Sequence, residues 1–297
     1  MVEPAMALTA FAPAKVNLYL HLIGRRPDGY HLLDSLVAFA DIGDRITAEL
    51  APTLSLEISG PEADGLADLG QGNLVLRAAR MLADHTATAR GAALHLQKNL
   101  PLAAGIGGGS SDAAAVLRVL ATLWQLSIDE EALRGLGLRL GADLPACLYG
   151  RAAWLGGVGE RIEPAPDLPE AGILLANPRK ELSTGAVFAA RRDPLGDPGR
   201  FAAMPGNAIG LALALMPCRN DLTDAAIGLV PEIKVMLARL ARLPGALIAR
   251  MSGSGATCFA LFSDRYAAEE ARMVLAAAEP GWWCAAGGLI AGKGLSG

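Results

Sequence analysis

A glycine-rich segment that runs directly into a helix-forming stretch constrains this chain more than any other feature. Residues 101–112 read Pro-Leu-Ala-Ala-Gly-Ile-Gly-Gly-Gly-Ser-Ser-Asp, and the alanine-rich residues 113–124 predict a helix directly after them. Glycine has no Cβ atom and reaches positive φ, so several backbone N–H groups can converge on one anion. The helix N-terminus adds about half a positive charge. The segment therefore predicts a loop that binds a polyphosphate.

The alternative interpretation is that this segment is a tight glycine-rich turn that binds no ligand. It is not a Walker loop, because that motif ends in Gly-Lys-Ser/Thr and no lysine lies between Lys98 and Lys180. A dinucleotide fingerprint needs an acidic residue about 20 positions further on, which the sequence does not clearly supply. The paired Ser110 and Ser111 favour nucleotide binding, because hydroxyls at a helix mouth can cap the helix and also reach a phosphate or Mg²⁺.

The composition excludes several classes of protein. Of the 297 residues, 52% are apolar and 19% charged, which is typical of a compact folded protein of about two domains and not of a disordered chain. A net charge of −4 gives no overall positive field to attract nucleic acid or an anionic membrane. The four cysteines are far apart and form no C-x-x-C pair, so neither a zinc site nor a disulfide framework is indicated.

Two further observations favour a soluble protein of the reducing cytoplasm. The N-terminal 22 residues are unlike a signal peptide, because an acidic residue precedes any basic one and prolines break the apolar run. The uncharged stretch 201–218 is interrupted by prolines and glycines, so its continuous apolar part is much shorter than the roughly 20 residues that span a bilayer.

Hydrophobic periodicity and turn residues predict strands and helices interleaved in both halves, which is the α+β class. The predicted strands are 8–11, 16–23, 33–39, 44–50, 54–59, 92–97, 152–155, 173–176, 246–251, 258–262 and 283–286. The predicted helices are one opened by Asn73, then 113–124, 128–140, 182–192, 220–228, 231–242 and 266–278. Ser127 and Glu130 match a capping box for the helix 128–140.

Three other places carry side chains that could do chemistry. Lys15 interrupts an apolar strand, so it either faces inward toward an anionic partner or alternates outward to solvent. Tyr30 and His31 follow a turn and could stack on and hydrogen-bond to a nucleobase, or they could be an ordinary hairpin pair. Asp143 follows a helix stop, where it could be a general base or, as the local pattern alone favours, a cap. A second glycine loop, 252–257, is weak evidence by itself.

Taken together, these segments resemble the GHMP kinase superfamily. Residues 101–111 are similar to its phosphate loop, and residues 251–256 are similar to its third motif. Within the superfamily the chain resembles the kinases that act on 4-diphosphocytidyl-2-C-methyl-D-erythritol in the non-mevalonate isoprenoid pathway. That likeness is carried by segments spread over nearly the whole chain in the family's order, namely 12–18, 26–31, 141–145, 156–160 and 220–222.

The resemblance implies a two-domain α+β kinase with its active site in the cleft between the domains. The N-terminal domain would be residues 1–160 and a ferredoxin-like C-terminal domain residues 161–297. The implied reaction is ATP-dependent phosphorylation, with Mg²⁺, of the 2-hydroxyl of the cytidine diphosphate substrate. The implied partners are small molecules, with no nucleic acid or membrane, and the oligomeric state is left open.

The resemblance also assigns roles to residues. Asp143 would take the proton of the 2-hydroxyl, and Lys15 would hold Asp143 in its charged form and offset charge on the transferring phosphoryl group. The implied ATP-binding residues are Asn73, Lys98, Pro101, Leu102, Ala103, Ala104, Gly105, Ile106, Gly107, Gly108, Gly109, Ser110 and Ser111. The implied substrate-binding residues are Asn17, Tyr30, His31, Val158 and Phe188, with the cytosine between Tyr30 and Phe188. Whether Asp112 helps hold Mg²⁺ or caps the helix is left open.

Two alternatives stand beside this interpretation. Another GHMP enzyme, of the homoserine or mevalonate type, would keep both glycine loops but has no reason to keep the turn at Tyr30 and His31. A catalytically silent nucleotide-binding protein would need neither Lys15 nor Asp143, because binding alone requires no proton acceptor.

Overall fold

The first half of the chain is a six-stranded sheet covered by four helices. The computed structural model describes residues 7–64, 66, 70, 72–192 and 194–291. The strands are β1 (Leu8–Arg25), β2 (His31–Ala51), β3 (Ser55–Ser59), β4 (Gly91–Gln97), β5 (Ala153–Gly156) and β6 (Arg161–Pro164). They run in the order β3-β4-β2-β5-β6, with β1 paired to β2, and the β3–β4 pair is parallel. The helices are α1 (Leu74–Thr86), α2 (Gly108–Leu123), α3 (Glu130–Leu140) and α4 (Leu144–Tyr149).

The second half contains a four-stranded antiparallel sheet. Its strands are β7 (Gly172–Asn177), β8 (Ile248–Met251), β9 (Cys258–Phe262) and β10 (Trp283–Gly288). They lie in the order β10-β7-β9-β8, so that across the sheet the fourth, first, third and second strands of the chain follow one another. This is the ferredoxin-like arrangement, and the predicted α+β fold is confirmed. The helices are α5 (Thr184–Ala190), α6 (Ala208–Leu215), α7 (Thr223–Leu229), α8 (Glu232–Leu240) and α9 (Arg265–Ala278).

The two halves are joined by an apolar cluster with residues of both sheets and by buried hydrogen bonds. The Arg250 guanidinium on β8 donates to the carbonyl oxygen of Leu18 on β1 at 2.6 Å. The indole Nε1 of Trp283 on β10 donates to the carbonyl of Asn99 at 3.0 Å. Because apolar residues of both sheets pack in one cluster, the walls of the cleft between them are held in a fixed relation.

Strands β1 and β2 are longer than predicted. The pairs of segments 8–11 with 16–23 and 33–39 with 44–50 each form one continuous strand. The β1–β2 pairing absorbs Pro13 through a register shift between Pro13 and Lys15, and it shifts again between Asn17 and Tyr19. Such irregularities bend a strand and re-aim its side chains, so simple alternation does not hold near Lys15.

Three elements were not predicted: β6, α4 and α6. The stretch 201–218 contains α6, which the prolines and glycines of the sequence concealed. Pro205 and Gly206 precede the helix, Pro217 follows it, and Gly210 lies in its first turn without ending it. Asn207 caps α6, its Oδ1 accepting from the N–H of Gly210 at 2.8 Å.

Across the described ranges, no helix combines the length and apolar character needed to cross a membrane.

The predicted starts of α3 and α2 are wrong. Helix α3 is not capped by Ser127: it begins at Glu130, and the Asp129 carboxylate accepts from the N–H of Ala132 at 2.8 Å. An acceptor directly before the first turn satisfies the free N–H groups better than one placed two residues earlier. Helix α2 begins at Gly108, earlier than the predicted Ala113, so the glycine-rich segment itself forms its first turn.

Candidate active site

A cleft of about 1050 Å³ lies between the two halves and collects most of the predicted site residues. It is lined by Lys15, Asn17, Tyr30, His31, Asn73, Lys98, Pro101, Leu102, Ala103, Ala104, Gly105, Gly107, Gly108, Gly109, Ser110, Asp143, Val158 and Phe188. Ile106 and Ser111 are not among the lining residues. Ile106 is fully buried, and the Ser111 hydroxyl donates to the carbonyl of Pro13 at 2.6 Å.

The predicted phosphate loop ends in a helix N-terminus that no side chain caps. Gly107 occupies the N-cap position of α2 with φ 64° and offers no side-chain acceptor. The first turn, Gly108, Gly109 and Ser110, borders the cleft. Free N–H groups at the positive end of a 16-residue helix form a site for an anion.

The second glycine loop supports the first from behind. The Ser252 hydroxyl donates to the carbonyl of Gly105 at 3.1 Å, and the N–H of Thr257 donates to the carbonyl of Ala104 at 3.2 Å. Gly105 and Gly253 both have positive φ, at 72° and 54°. A Cβ atom on Gly253 would lie 2.6 Å from the carbonyl oxygen of Gly105, so the backbones of the two loops are in direct contact. Loop 252–257 was weak evidence of function by itself, and the structure shows that it packs against the phosphate loop.

We expect Gly105→Ala to disrupt this contact. Its Cβ would lie 2.6 Å from the carbonyl oxygen of Gly255 at a φ that L-residues avoid. Backbone strain and a steric clash together should lower stability by about 2 kcal/mol or more and weaken ATP binding about tenfold. Thermal unfolding and calorimetric titration with ATP would measure both effects. Gly228→Ala in α7 is the matched control, because a Cβ there meets no atom within 4 Å; a Gly105→Ala protein that behaves like the control would contradict the expectation.

Lys15 and Asp143 form an ion pair at the wall of the cleft. The Lys15 Nζ donates to Oδ1 of Asp143 at 2.7 Å, and their side chains are 4% and 48% exposed. The inward orientation of Lys15 is therefore confirmed and the solvent-facing alternative is wrong. The capping alternative for Asp143 is also wrong, because Asp143 stands at the N-cap of α4 without a capping hydrogen bond from its side chain.

Asn17 is held in one orientation beside this pair. Its amide Nδ2 donates to the hydroxyl of Ser35 at 2.8 Å, and its Oδ1 accepts from the Lys15 ammonium at 3.3 Å. Its backbone N–H donates to the hydroxyl of Ser252 at 3.1 Å. Asn17 is 3% exposed, so its buried amide fixes where the Lys15 ammonium lies.

The opposite end of the cleft carries an aromatic pair. The rings of His31 and Phe188 lie 5.5 Å apart with an interplanar angle of 30°, and Tyr30 beside them is 66% exposed. Partial burial lowers the pKa of His31, and the charges of Arg191 and Arg25 lower it further. The ring is therefore neutral at pH 7, with one nitrogen able to donate and the other to accept, as recognition of a nucleobase edge requires.

Lys98 lies beneath the phosphate loop in a buried cluster that the sequence did not reveal. Its ammonium donates to Oδ2 of Asp44 at 2.5 Å and to Oδ2 of Asp112 at 2.8 Å. Oδ1 of Asp44 accepts from the backbone N–H groups of Asn99 and Leu100. Burial alone would lower the pKa of Lys98, but the charges of Asp112 and Asp44 outweigh it and raise that pKa. The cluster ties the start of the phosphate loop to β2.

Asp112 is not a helix cap. It lies in the second turn of α2, is 3% exposed, and leaves its Oδ1 without a hydrogen-bond partner. Burial raises the pKa of Asp112 to about 8 against the lowering effect of Lys98, and the charge of Asp44 adds to the rise. Asp112 therefore shares the single Lys98 ammonium with Asp44, and its unpaired Oδ1 at the cleft wall would gain from a second cation.

Asn220 also has a structural explanation. Its Nδ2 donates to the carbonyls of Met251 and Gly253, at 2.9 and 2.8 Å, and so holds the entrance of the second glycine loop. The sequence resemblance included residues 220–222 without a role for them. The residues around Asn220 gave no local signal of this role, because Asn220 and Met251 are 31 residues apart in the chain.

Comparison with known proteins identifies relatives over nearly the full length of this chain. The model of the GHMP kinases N terminal domain matches residues 73–151, and the GHMP kinases C terminal model matches residues 202–280. A protein of Paramagnetospirillum magneticum is 51% identical over 279 residues, which are 94% of this chain and 97% of that protein. One of Cereibacter sphaeroides is 54% identical over 277 residues, 92% and 96% of the two chains. Both are named 4-diphosphocytidyl-2-C-methyl-D-erythritol kinase.

Solved structures agree with these sequence relatives. A crystal structure of 4-(cytidine 5'-diphospho)-2C-methyl-D-erythritol kinase matches with a TM-score of 0.79 and 36% identity, covering 96% of this chain and 100% of that one. The homoserine kinase of Cytophaga hutchinsonii matches with a TM-score of 0.73, covering 98% of this chain and 97% of that one. At 16% identity, the likeness to the homoserine kinase extends to the fold alone.

Proposed function

This chain belongs to the GHMP kinases, and from that premise we propose that it transfers the γ-phosphoryl group of ATP to the 2-hydroxyl of 4-diphosphocytidyl-2-C-methyl-D-erythritol, in the non-mevalonate isoprenoid pathway. The observation that carries the proposal is the Lys15–Asp143 ion pair, which shares one cleft with an uncapped helix N-terminus. Relatives that are about half identical bear the name of this kinase. The homoserine-type alternative has support at the level of the fold only.

ATP would place its phosphates on residues 101–110, against the N-terminus of α2, with Asn73 and Lys98 in the adjoining wall. Phosphoryl transfer requires mainly positioning and electrostatic stabilisation from the protein. The free N–H groups of the first turn would supply part of that stabilisation. The Lys98 ammonium contributes indirectly, because its two carboxylates hold it beneath the loop.

In the proposed reaction, the 2-hydroxyl oxygen attacks the γ-phosphorus while the bond to the β,γ-bridging oxygen breaks and ADP leaves. The proton of the hydroxyl passes to the carboxylate of Asp143, which is half exposed to the cleft. The Lys15 ammonium orients that carboxylate through a hydrogen bond of 2.7 Å. Asn17 holds the ammonium in place and borders the acceptor.

The cytidine of the substrate would occupy the aromatic end of the cleft. Its ring would lie between Tyr30 and Phe188, with the neutral His31 hydrogen-bonded to its edge. Val158 would contact the substrate from the loop between β5 and β6. Tyr30 lines the cleft and is 66% exposed, so its ring is free to contact a ligand.

The residues beside the phosphate loop fit a magnesium ion that accompanies ATP. Mg²⁺ binds through one or two protein oxygens together with substrate phosphates. Asp112 lines the cleft and has a carboxylate oxygen with no partner. We propose that Asp112 would hold the ion together with the phosphates of ATP. When bound, it would neutralise charge on the phosphates.

ADP release with Mg²⁺–ATP is the test of the proposed function. We expect turnover with 4-diphosphocytidyl-2-C-methyl-D-erythritol and none above background with homoserine or mevalonate, because the aromatic pair suits a nucleobase. Turnover of homoserine or mevalonate instead would retain the family and overturn the substrate. ATP binding without turnover of any acceptor would favour a silent nucleotide-binding protein.

A further inference from the structure

The charges that line the cleft are unevenly compensated. The described lining carries three cations, Lys15, Arg25 and Lys98, and three acidic residues, Asp28, Asp112 and Asp143. Lys15 is paired with Asp143 and Lys98 with Asp112, and Asp28 is paired with Arg26 outside the lining, at 2.7 Å. Among these described lining residues, Arg25 is the cation that makes no ion pair. Its charge is therefore available to an anionic ligand.

Arg25 is held at the nucleobase end of the cleft. It is the last residue of β1 and the register partner of His31 on β2. Its Nε donates to the carbonyl of Gly29 at 3.1 Å, which anchors the guanidinium across the turn. No acceptor within the described chain takes a hydrogen bond from its two terminal nitrogens. A planar guanidinium with one anchored and two free nitrogens has the geometry that binds a phosphate by two parallel hydrogen bonds.

A second arginine adds to the positive charge of this end. Arg191 follows α5 and lies close enough to His31 to lower its pKa, as Arg25 does. Arg191 does not line the cleft, and its Nη2 donates to the carbonyl of Pro194 at 2.7 Å. The positive charge near His31 is therefore shared by two arginines, of which Arg25 has free donors facing a ligand site.

We propose that Arg25 recognises the diphosphate of the acceptor substrate and so makes the enzyme prefer a nucleoside diphosphate to a nucleoside. The inference rests on the proposed function and deepens it. Such a substrate has its base at one end, its reacting hydroxyl at the other, and about two negative charges between them. Lys15 and Lys98 are already neutralised by carboxylates, so the charge that remains for this linker is that of Arg25.

The test compares Arg25→Gln with Arg25→Lys and with Arg192→Gln. We expect Arg25→Gln to raise KM for the cytidyl substrate about tenfold, with KM for ATP and kcat changed less than about twofold. Arg25→Lys should recover part of the loss, because it keeps the charge without the planar fork. Arg192 is the matched control: it is an exposed arginine outside the lining that donates to the carbonyls of Ala189 and Arg191.

Inhibition by cytidine and by cytidine diphosphate separates charge from shape. In the natural enzyme we expect the diphosphate to compete with the substrate more strongly than cytidine does. In Arg25→Gln that advantage should fall about tenfold while the inhibition constant of cytidine is unchanged. An equal loss for both inhibitors would overturn the proposal and assign Arg25 to shaping the turn. A rise confined to KM for ATP would overturn it as well.

The failure of this proposal can be told apart from the failure of the proposed function. Binding of cytidine and cytidine diphosphate is measurable by calorimetry on the whole protein, without turnover. If the natural enzyme does not phosphorylate the cytidyl substrate, the proposed function fails. If it does, and Arg25→Gln binds both inhibitors as the natural enzyme does, the role of Arg25 alone fails.

Discussion

Asp143→Asn is expected to lower kcat about a thousandfold while KM for both substrates changes less than about threefold. The amide has the volume and shape of the carboxylate, and its oxygen can still accept from the Lys15 ammonium, which is 2.7 Å away in the natural protein. It cannot accept the proton of the substrate hydroxyl. Single-turnover rates and steady-state KM values would separate chemistry from binding.

Asp129→Asn provides the matched control for this prediction. Asp129 is an exposed carboxylate that caps α3, and asparagine caps helices about as well as aspartate. The control should keep the kcat and the melting temperature of the natural enzyme. If Asp143→Asn retains more than about a tenth of the natural kcat, the proton leaves by another route and Asp143 acts only as a positioning residue.

Elements with strong periodicity or a clear cap could be predicted from the sequence. Asn73 was identified as the N-cap of α1, and its Oδ1 accepts from the N–H of Val75 at 2.9 Å. Helix α3 was found but its cap was not, because Ser127 and Asp129 both precede the first turn and the sequence does not say which backbone angle each residue adopts. Local chemistry thus identifies elements more securely than it identifies their ends.

The site was less predictable because its contacts span long stretches of chain. Residue types indicated a base and a cation, but the pairing of Lys15 with Asp143 joins residues 128 positions apart. Alternation could not reveal that Lys15 faces inward, because residues 12–22 of β1 are buried on both faces of the strand. The sequence did not indicate that Asp44 is buried, because an acidic residue at a predicted strand start is usually solvated. In the structure Asp44 is buried and accepts hydrogen bonds from Lys98 and from two backbone N–H groups. Tertiary packing decided each of these outcomes.

Lys15→Met is expected to lower kcat by about a hundredfold to a thousandfold, because the Asp143 carboxylate loses the ammonium that orients it. Methionine has a similar unbranched shape and fills the space that the 4% exposed lysine occupies. ATP should bind about as before, since the uncapped N-terminus of α2 and the loop contacts at Gly105 remain. Thermal unfolding and calorimetric titration with ATP would check that the fold and the nucleotide site are intact.

The double variant Lys15→Met, Asp143→Asn decides whether the two residues act as one unit. Independent effects would multiply and lower kcat by about five or six powers of ten. If instead Lys15 acts largely by orienting the Asp143 carboxylate, removing both should cost little more than Asp143→Asn alone. We expect the second result, because the 2.7 Å ion pair is the main polar contact of the Lys15 ammonium, with Asn17 at 3.3 Å. A fully multiplicative loss would mean that Lys15 acts on the phosphoryl group directly and that its pairing with Asp143 only holds it in place.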